Sequence, residues 1–302
     1  MTETPRSPGL ASIVAEKLRE RLLYFLCRYC AGLRGAWRLN LEQRVYSFRF
    51  ACPGNLMTRT RFGCPIEVRK NDVASHGLHF NGCINHQLEA VAAAALRPGD
   101  LALDLGANIG GITLYLAQLV GPAGRVYSVE PMSGNLELLT RNVRRAGFAS
   151  VVHIEHRAAG RESMRSKLYF DPETRNWGAI SLHDHTGTGS EDIEIEPLDV
   201  LWARWGRPQF AFVKMDVEGF ESDVIAGATE LLAVAPPRVW VVEFNPDHFA
   251  HMAGGAVHLW EEFVSRGYRA FTKTGLPMTD PPSAHCDVVF RLPDERNVHG
   301  EP

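Results

Sequence analysis

Leu101-Ala-Leu-Asp-Leu-Gly-Ala-Asn-Ile-Gly-Gly111 opens as an apolar run, ends that run in a carboxylate and then bends through glycines. The segment after it, Ile112-Thr-Leu-Tyr-Leu-Ala-Gln-Leu-Val120, carries its apolar residues at helical spacing. A second apolar run, Arg125-Val-Tyr-Ser-Val-Glu130, again ends in an acid. Strand, glycine turn, helix and acid-tipped strand predict the first unit of a doubly wound α/β sheet. Its ligand site is expected at the carboxyl ends of the strands.

Each residue type in that unit has a chemical use. Gly106 and Gly110 let the backbone turn sharply and let a ligand approach where a Cβ would stand. The helix after Gly110 points unpaired N–H groups and its positive dipole end at the ligand, which suits a carboxylate or phosphate. Glu130 ends its strand where a ribose diol would lie, and a carboxylate accepts hydroxyl hydrogen bonds. Asp104 precedes the turn and is expected to face the same cleft, where a positively charged amino group is its natural partner. Dinucleotide enzymes carry G-x-G-x-x-G, with the pyrophosphate against the second glycine. Here Asn108 takes that glycine's place, and Asp104 would repel a pyrophosphate but attract an ammonium. S-adenosylmethionine offers an ammonium, a carboxylate and a ribose. The residues therefore favour it over a nicotinamide dinucleotide.

Outward from this unit the alternation continues. His86–Leu96 reads as a helix stopped by Pro98-Gly-Asp100, and Met132–Gly147 as a helix ending at a glycine. Val151–Ile154 is a strand, and Lys167–Phe170 and Ile193–Leu198 alternate as strands with a polar loop between them. Phe210-Ala-Phe-Val-Lys-Met-Asp216 and Val239-Trp-Val-Val-Glu243 are further acid-tipped strands, each followed by helical spacing, at Glu221–Ala233 and Val257–Gly267. Tyr268–Phe271 and Cys286–Leu292 are expected to close the sheet as an antiparallel pair. Such alternation predicts a largely parallel sheet with helices on both faces. Before it, Arg44–Ala51, Met57–Phe62 and Ile66–Arg69 alternate in strand fashion, punctuated by Gly54, Gly63 and Pro65, and suggest a small antiparallel element.

Composition narrows the class. Of 302 residues, 45% are hydrophobic and 22% charged, an ordinary globular balance, and a net charge of −3 gives no electrostatic case for nucleic acid. No apolar stretch reaches the ~20 residues of a spanning helix. In Ile13–Leu33, Leu18, Leu22, Phe25, Leu26, Tyr29 and Leu33 recur at helical spacing, interrupted by Arg19, Glu20, Arg21 and Arg28. This amphipathic helix suits packing on the main domain or on a second subunit, and peripheral membrane contact is its sharper reading. Cys27-Arg-Tyr-Cys30 matches C-x-x-C but falls on the apolar stripe, and no second Cys or His pair follows at zinc spacing. Cysteines of this number and spacing read as core residues, with a reducing cytoplasm as the default compartment.

Lys214-Met-Asp-Val-Glu-Gly-Phe-Glu221 is the second dense cluster. Period two puts Lys214 and Asp216 on one side of a strand, and a lysine near the end of an apolar strand needs a partner, for which Asp216 is the candidate. Asp216 is also the candidate base for a hydroxyl nucleophile, with Glu243 at the matching position of the next strand. Two such acids could also hold a divalent cation that lowers the hydroxyl's pKa; the spacing does not choose between the two, and the cation is not the favoured reading. The bland readings are an ion pair for Asp216, and loop or helix capping for Glu218 and Glu221.

Asp104-Leu-Gly-Ala-Asn-Ile-Gly110, Val129-Glu-Pro131, Asn176-Trp-Gly178 with Ser181-Leu182, Pro197-Leu-Asp199 and Lys214-Met-Asp-Val-Glu-Gly-Phe-Glu221 occur in that order. Together they resemble the FkbM-type S-adenosylmethionine-dependent methyltransferases over about Glu89 to Leu292. The first motif is shared by many class I methyltransferases, and the lysine-acid-valine-glutamate-glycine run is far more specific. The resemblance implies a seven-stranded class I (Rossmann-like) fold that usually methylates a hydroxyl of a sugar, glycoconjugate or natural product. By it, Asp104, Gly106, Asn108, Gly110 and Glu130 line the cofactor site, and Asp216 sits at the catalytic face; Lys214 and Glu243, from the strand reading above, complete the candidate catalytic set.

The resulting division is a disordered tail at 1–10, the amphipathic helix and small β element at 11–84, the methyltransferase domain at 85–293 and a tail at 294–302. Trp177 and the loop His183–Ser190 are candidates to border a small-molecule or glycan acceptor, as is Phe244-Asn-Pro-Asp-His248. His183 and His185 are rival bases. Two other classes remain as alternatives, a nicotinamide-dependent oxidoreductase and a non-catalytic scaffold. A homo-oligomer is compatible with each.

Overall fold

The computed structural model describes residues 54–70, 72–170, 189–245 and 255–293. The Ile13–Leu33 helix, the Arg44–Ala51 strand, both terminal tails, Cys27, Cys30, Trp177, His183 and His185 lie outside the described residues, as do most of the acceptor loops named above.

In chain order the strands are β1 (Asn55–Arg59), β2 (Pro65–Arg69), β3 (Leu101–Leu105), β4 (Arg125–Val129), β5 (Val152–Glu155), β6 (Ala158–Gly160), β7 (Met164–Phe170), β8 (Gly189–Pro197), β9 (Phe212–Met215), β10 (Val239–Phe244), β11 (Arg269–Thr272), β12 (Pro277–Met278) and β13 (Cys286–Arg291). The helices are α1 (Val73–Asn81), α2 (His86–Ala95), α3 (Gly111–Val120), α4 (Ser133–Arg145), α5 (Leu198–Arg204), α6 (Glu221–Ala226), α7 (Thr229–Val234) and α8 (Gly255–Val264).

The main sheet runs β12-β11-β13-β10-β9-β3-β4-β5. β5, β4, β3, β9 and β10 are parallel to one another, and β13 pairs antiparallel with β10 and β11. The seven expected strands are present, and two-residue β12 adds an eighth at the edge. Alternation sorts the side chains. Leu103, Leu105, Val213, Met215, Trp240 and Val242 pack in one apolar cluster with residues of α5 to α8. Ala102, Val126, Phe212 and Val241 pack on the other face with residues of α2, α3, α4 and β2. Strands buried on both faces read as continuous apolar runs, which is why they were legible.

Two features depart from the sequence reading, and the expected small antiparallel element is present. The helix expected at Glu221–Ala233 is two short helices, because the chain bends at Gly227, where a Cβ would overlap the carbonyl of Gly160. Asp199, of the Pro-Leu-Asp motif, caps the second of them: its carboxylate accepts the N–H groups of Glu230 and Leu231 at 2.8 Å each. β6, β8 and β7 form a separate three-stranded sheet beside the main one. The small element is the hairpin β1–β2, in register from Asn55↔Arg69 to Arg59↔Pro65, and Glu67 on β2 is bonded to Asn142 of α4.

Candidate active site

β3, β4, β9 and β10 bring their carboxyl ends to one cleft of about 570 Å³, the size of a small-molecule site. The turn after β3 is built for close approach. Gly106 has φ +76, and a Cβ there would overlap the carbonyl oxygen of Asp216. Asn108 stands at φ +50, a left-handed position that asparagine tolerates, and its Oδ1 accepts the N–H of Ile109 at 2.7 Å. Gly110, at φ +93, begins α3 and does not line the cleft. Gly106, Asn108 and Glu130 do line it.

Glu130 is 4% exposed. Its Oε2 accepts the N–H of Asn108 at 2.8 Å, and its Oε1 accepts the N–H of Met132 at 3.0 Å and Nδ2 of Asn135 at 3.2 Å. A carboxylate offers about four acceptor sites. Three are engaged, so one further donor fits without breaking any of these bonds, rather than the two hydroxyls expected from the sequence. Burial pushes its pKa up, against the two backbone donors.

Asp104 does not open into the cleft as expected. Alternation along β3 puts it on the same face as Ala102, toward α3, where it is fully buried and accepts the Thr113 hydroxyl at 2.6 Å. Lys214, its neighbour across the β3–β9 ladder, places Nζ 3.6 Å from Asp104 Oδ1 and 3.4 Å from Asp216 Oδ2. The same Nζ donates to the carbonyls of Leu105 (3.2 Å) and Gly106 (2.7 Å). Burial would lower the lysine's pKa, but Asp216 and Asp104 outweigh it and keep it charged. Lys214 is thus the staple that ties the glycine turn to β9. The sequence suggested its pairing with Asp216 but not the two carbonyls, which belong to a distant loop.

Asp216 reaches the cleft with its side chain 41% exposed. Around it stand Glu218, Glu243, Lys273, His285 and Asp287. Glu218 adopts φ +52, a strained position for a non-glycine residue. Burial and then the charges of Asp216, Glu243 and Glu221 push its carboxyl up to about 9. Glu243 is pushed to about 7 by burial and Asp216, against a hydrogen bond to His285 at 2.7 Å. Asp287 holds Lys273 at 2.5 Å and Asn85 at 3.0 Å. His285, Lys273 and Asn85 were missed from sequence; only the β10–β13 pairing, Glu243 opposite Asp287, brings them here.

Among the described residues, the one group with atoms close enough for a metal is Cys83, His86 and Glu89, within 4.8 Å of one another. Arg61 already sits there, with Nε 2.5 Å from the Glu89 carboxylate and Nη1 3.0 Å from His86 Nδ1. Asp216 and Glu243 belong to no such group.

Glu221 closes the loop after Asp216: its Oε1 accepts the N–H groups of Val217 (3.1 Å) and Gly219 (3.4 Å), while its buried Oε2 has no hydrogen-bond partner among the described residues. Burial raises its pKa from 4.5 to about 8, so the folded state keeps a proton that the unfolded chain releases. The stability due to this proton is complete below pH 4.5 and is lost as pH rises toward 8. Urea titrations of Glu221→Gln are expected to show a flatter stability profile across that window than the wild type. An unchanged slope would assign the pH dependence to other groups.

The FkbM methyltransferase domain model matches residues 104–270, more than half of the chain. Over 58 residues the chain is 40% identical to a protein-L-isoaspartate O-methyltransferase of Aeropyrum pernix, covering 19% of this chain and 22% of that one. Over 99 residues it is 33% identical to a tRNA (adenine(58)-N(1))-methyltransferase of Thermus thermophilus, covering 31% and 38%. The chain thus matches about a fifth to two fifths of these relatives' lengths. An O-methyltransferase from Bacillus cereus, solved in complex with SAH, aligns at TM-score 0.41 and 13% identity over 68% of this chain and 79% of that one. A SAM-dependent methyltransferase from Aquifex aeolicus aligns at 0.37 and 14%, over 68% and 88%. The matched span begins at Asp104 and contains the glycine turn, Glu130, the Lys214–Glu221 run and Glu243, though not Asn85, Lys273, His285 or Asp287 of the same cleft; with more than half of its length matched, the chain belongs to the FkbM methyltransferase family.

Proposed function

We propose that this protein transfers the methyl group of S-adenosylmethionine to a hydroxyl of a small polar acceptor, a sugar, glycoconjugate or natural product. The observation that carries the reading is the convergence of two unlike half-sites on one cleft. The glycine turn and Glu130 form one half, and Asp216 with Glu243 forms the other. When bound, the cofactor supplies an electrophilic methyl group. Glu130 takes a ribose hydroxyl, and the turn from Gly106 through Asn108 to Gly110 admits the nucleoside and its amino-acid tail. Asp104 acts from beneath, holding Thr113 and Lys214 in place. Asp216 would hold the acceptor hydroxyl facing the methyl group and take its proton as the oxygen–methyl bond forms and the methyl–sulfur bond breaks, with S-adenosylhomocysteine as the leaving group. Lys214 holds the Asp216 carboxylate in place at 3.4 Å, and Phe220 and Leu168 on the cleft wall help exclude water.

Asp216, Glu218, Glu243 and Asp287 set four carboxyl groups around the rim, hydrogen-bonding partners that suit the hydroxyls of a small neutral acceptor better than the phosphates of a nucleic acid. No helix of the described residues is long and apolar enough to cross a membrane. Calorimetry with S-adenosylhomocysteine and with NAD tests the cofactor. Binding of the first and not the second is expected. Binding of NAD alone would point to an oxidoreductase, and binding of neither to a scaffold.

A further inference from the structure

The β1–β2 hairpin meets the cofactor half of the cleft through buried polar bridges. Asn142 on α4 is fully buried. Its Nδ2 donates to the carbonyls of Glu67 and Ile109 at 2.9 Å each, and its Oδ1 accepts the N–H of Glu67 at 2.7 Å. One side chain therefore joins hairpin strand β2 to the glycine turn. Arg141 and Arg145 clasp the Glu67 carboxylate beside it.

Two helical turns earlier, on the same face of α4, Asn135 makes a second bridge. Arg69 donates from Nη1 to Asn135 Oδ1 at 2.5 Å, and Asn135 Nδ2 donates to Glu130 Oε1 at 3.2 Å. The three side chains belong to residues 9%, 1% and 4% exposed. Polarity makes the chain directional. A guanidinium can only donate, so it requires the amide oxygen to face it, and the amide NH₂ is then left for Glu130, which as a carboxylate can only accept. Reversing the amide would set donor against donor at one end and oxygen against oxygen at the other. The guanidinium also lies across the first turn of α4, where a Cβ on Gly134 would stand 3.2 Å from Nη2. A cation is disfavoured at that end of a helix, so the acceptors it meets must hold it there.

We propose that Arg69 is a positioning residue for the cofactor, fixing the Asn135 amide and through it the face of Glu130 that receives the ribose. The hairpin, which lies ahead of the family-matched span, is then a working part of the cofactor site. This rests on the reading of Glu130 as the ribose acceptor.

Calorimetry on the full chain separates the two ideas, using S-adenosylhomocysteine and its 2′,3′-dideoxy analogue. The wild type is expected to prefer the hydroxylated ligand; equal affinities would overturn the Glu130 reading and this proposal with it. Given that preference, Arg69→Met is expected to weaken S-adenosylhomocysteine about tenfold, on the order of one charge-assisted hydrogen bond, while leaving the dideoxy analogue within about twofold. Arg69→Lys, still a donor but without the planar fork, is expected to fall between them. Equal weakening of both ligands would show a merely structural role and overturn the proposal. So would an Arg69→Met variant that binds as the wild type does. If Arg69→Met does not fold, Arg69→Lys and Asn135→Ser carry the same comparison.

Discussion

Asp216→Asn is expected to lower methyl transfer by about two to four orders of magnitude, the usual contribution of a positioned base, while S-adenosylhomocysteine affinity changes less than about threefold. Asparagine keeps the shape and can still accept a hydrogen bond, but it cannot take the acceptor's proton. The cofactor half is spared because the Asp216 backbone, which donates to Leu105 O at 3.3 Å and packs its carbonyl against Gly106, is unchanged, and asparagine can still accept from Lys214. Methyl transfer from labelled S-adenosylmethionine, to any acceptor the wild type uses, reads the first effect and calorimetry the second. Full turnover in the variant would remove Asp216 from the base role and turn attention to the His285–Glu243 pair. That pair lines the same cleft and is already joined at 2.7 Å.

Lys214→Met is expected to destabilise the fold by about 3–5 kcal/mol, the range found when one partner of a buried ion pair is removed. Two losses combine. Among the described residues, Asp104, fully buried, would keep only the Thr113 hydroxyl, the Gly106 carbonyl would lose its lysine donor, and the Leu105 carbonyl would be left with the N–H of Asp216. Methionine fills a similar volume, so a cavity contributes little. Asp104 would then hold a proton on folding, and the loss should grow as pH rises above the ordinary carboxylate range. Adding Asp104→Asn should recover a large part of the deficit, because the stranded charge is gone. Urea denaturation of the two single variants and the double variant measures this coupling. Additive losses would show that Lys214 and Asp104 do not stabilise each other.

What could be read from the chain follows from what is local. Leu101–Gly111 announces a strand, a turn and a helix because their periodicities are written in consecutive residues, and Arg125–Glu130 and Val239–Glu243 announce acid-tipped strands in the same way. Asp104 shows where such reading stops. Its position at a strand end was legible, but alternation turns its carboxylate toward α3 and Lys214 rather than into the cleft. Gly227 was legible as a glycine, but not that the Gly160 carbonyl packs where its Cβ would stand, at the break between α6 and α7.

The sequence by itself determined the parallel sheet, the glycine turn, and the acids at the tips of β3, β4 and β10 and just beyond β9, since hydrophobic period and turn chemistry are properties of neighbouring residues. Tertiary structure alone decided that Lys214 ties the turn to β9, that His285 meets Glu243, and that Arg69 reaches Glu130 through Asn135. Those contacts join residues far apart in the chain. Strand order, register and the seat of the hairpin on α4 bring them together, and burial then makes each polar group find a partner.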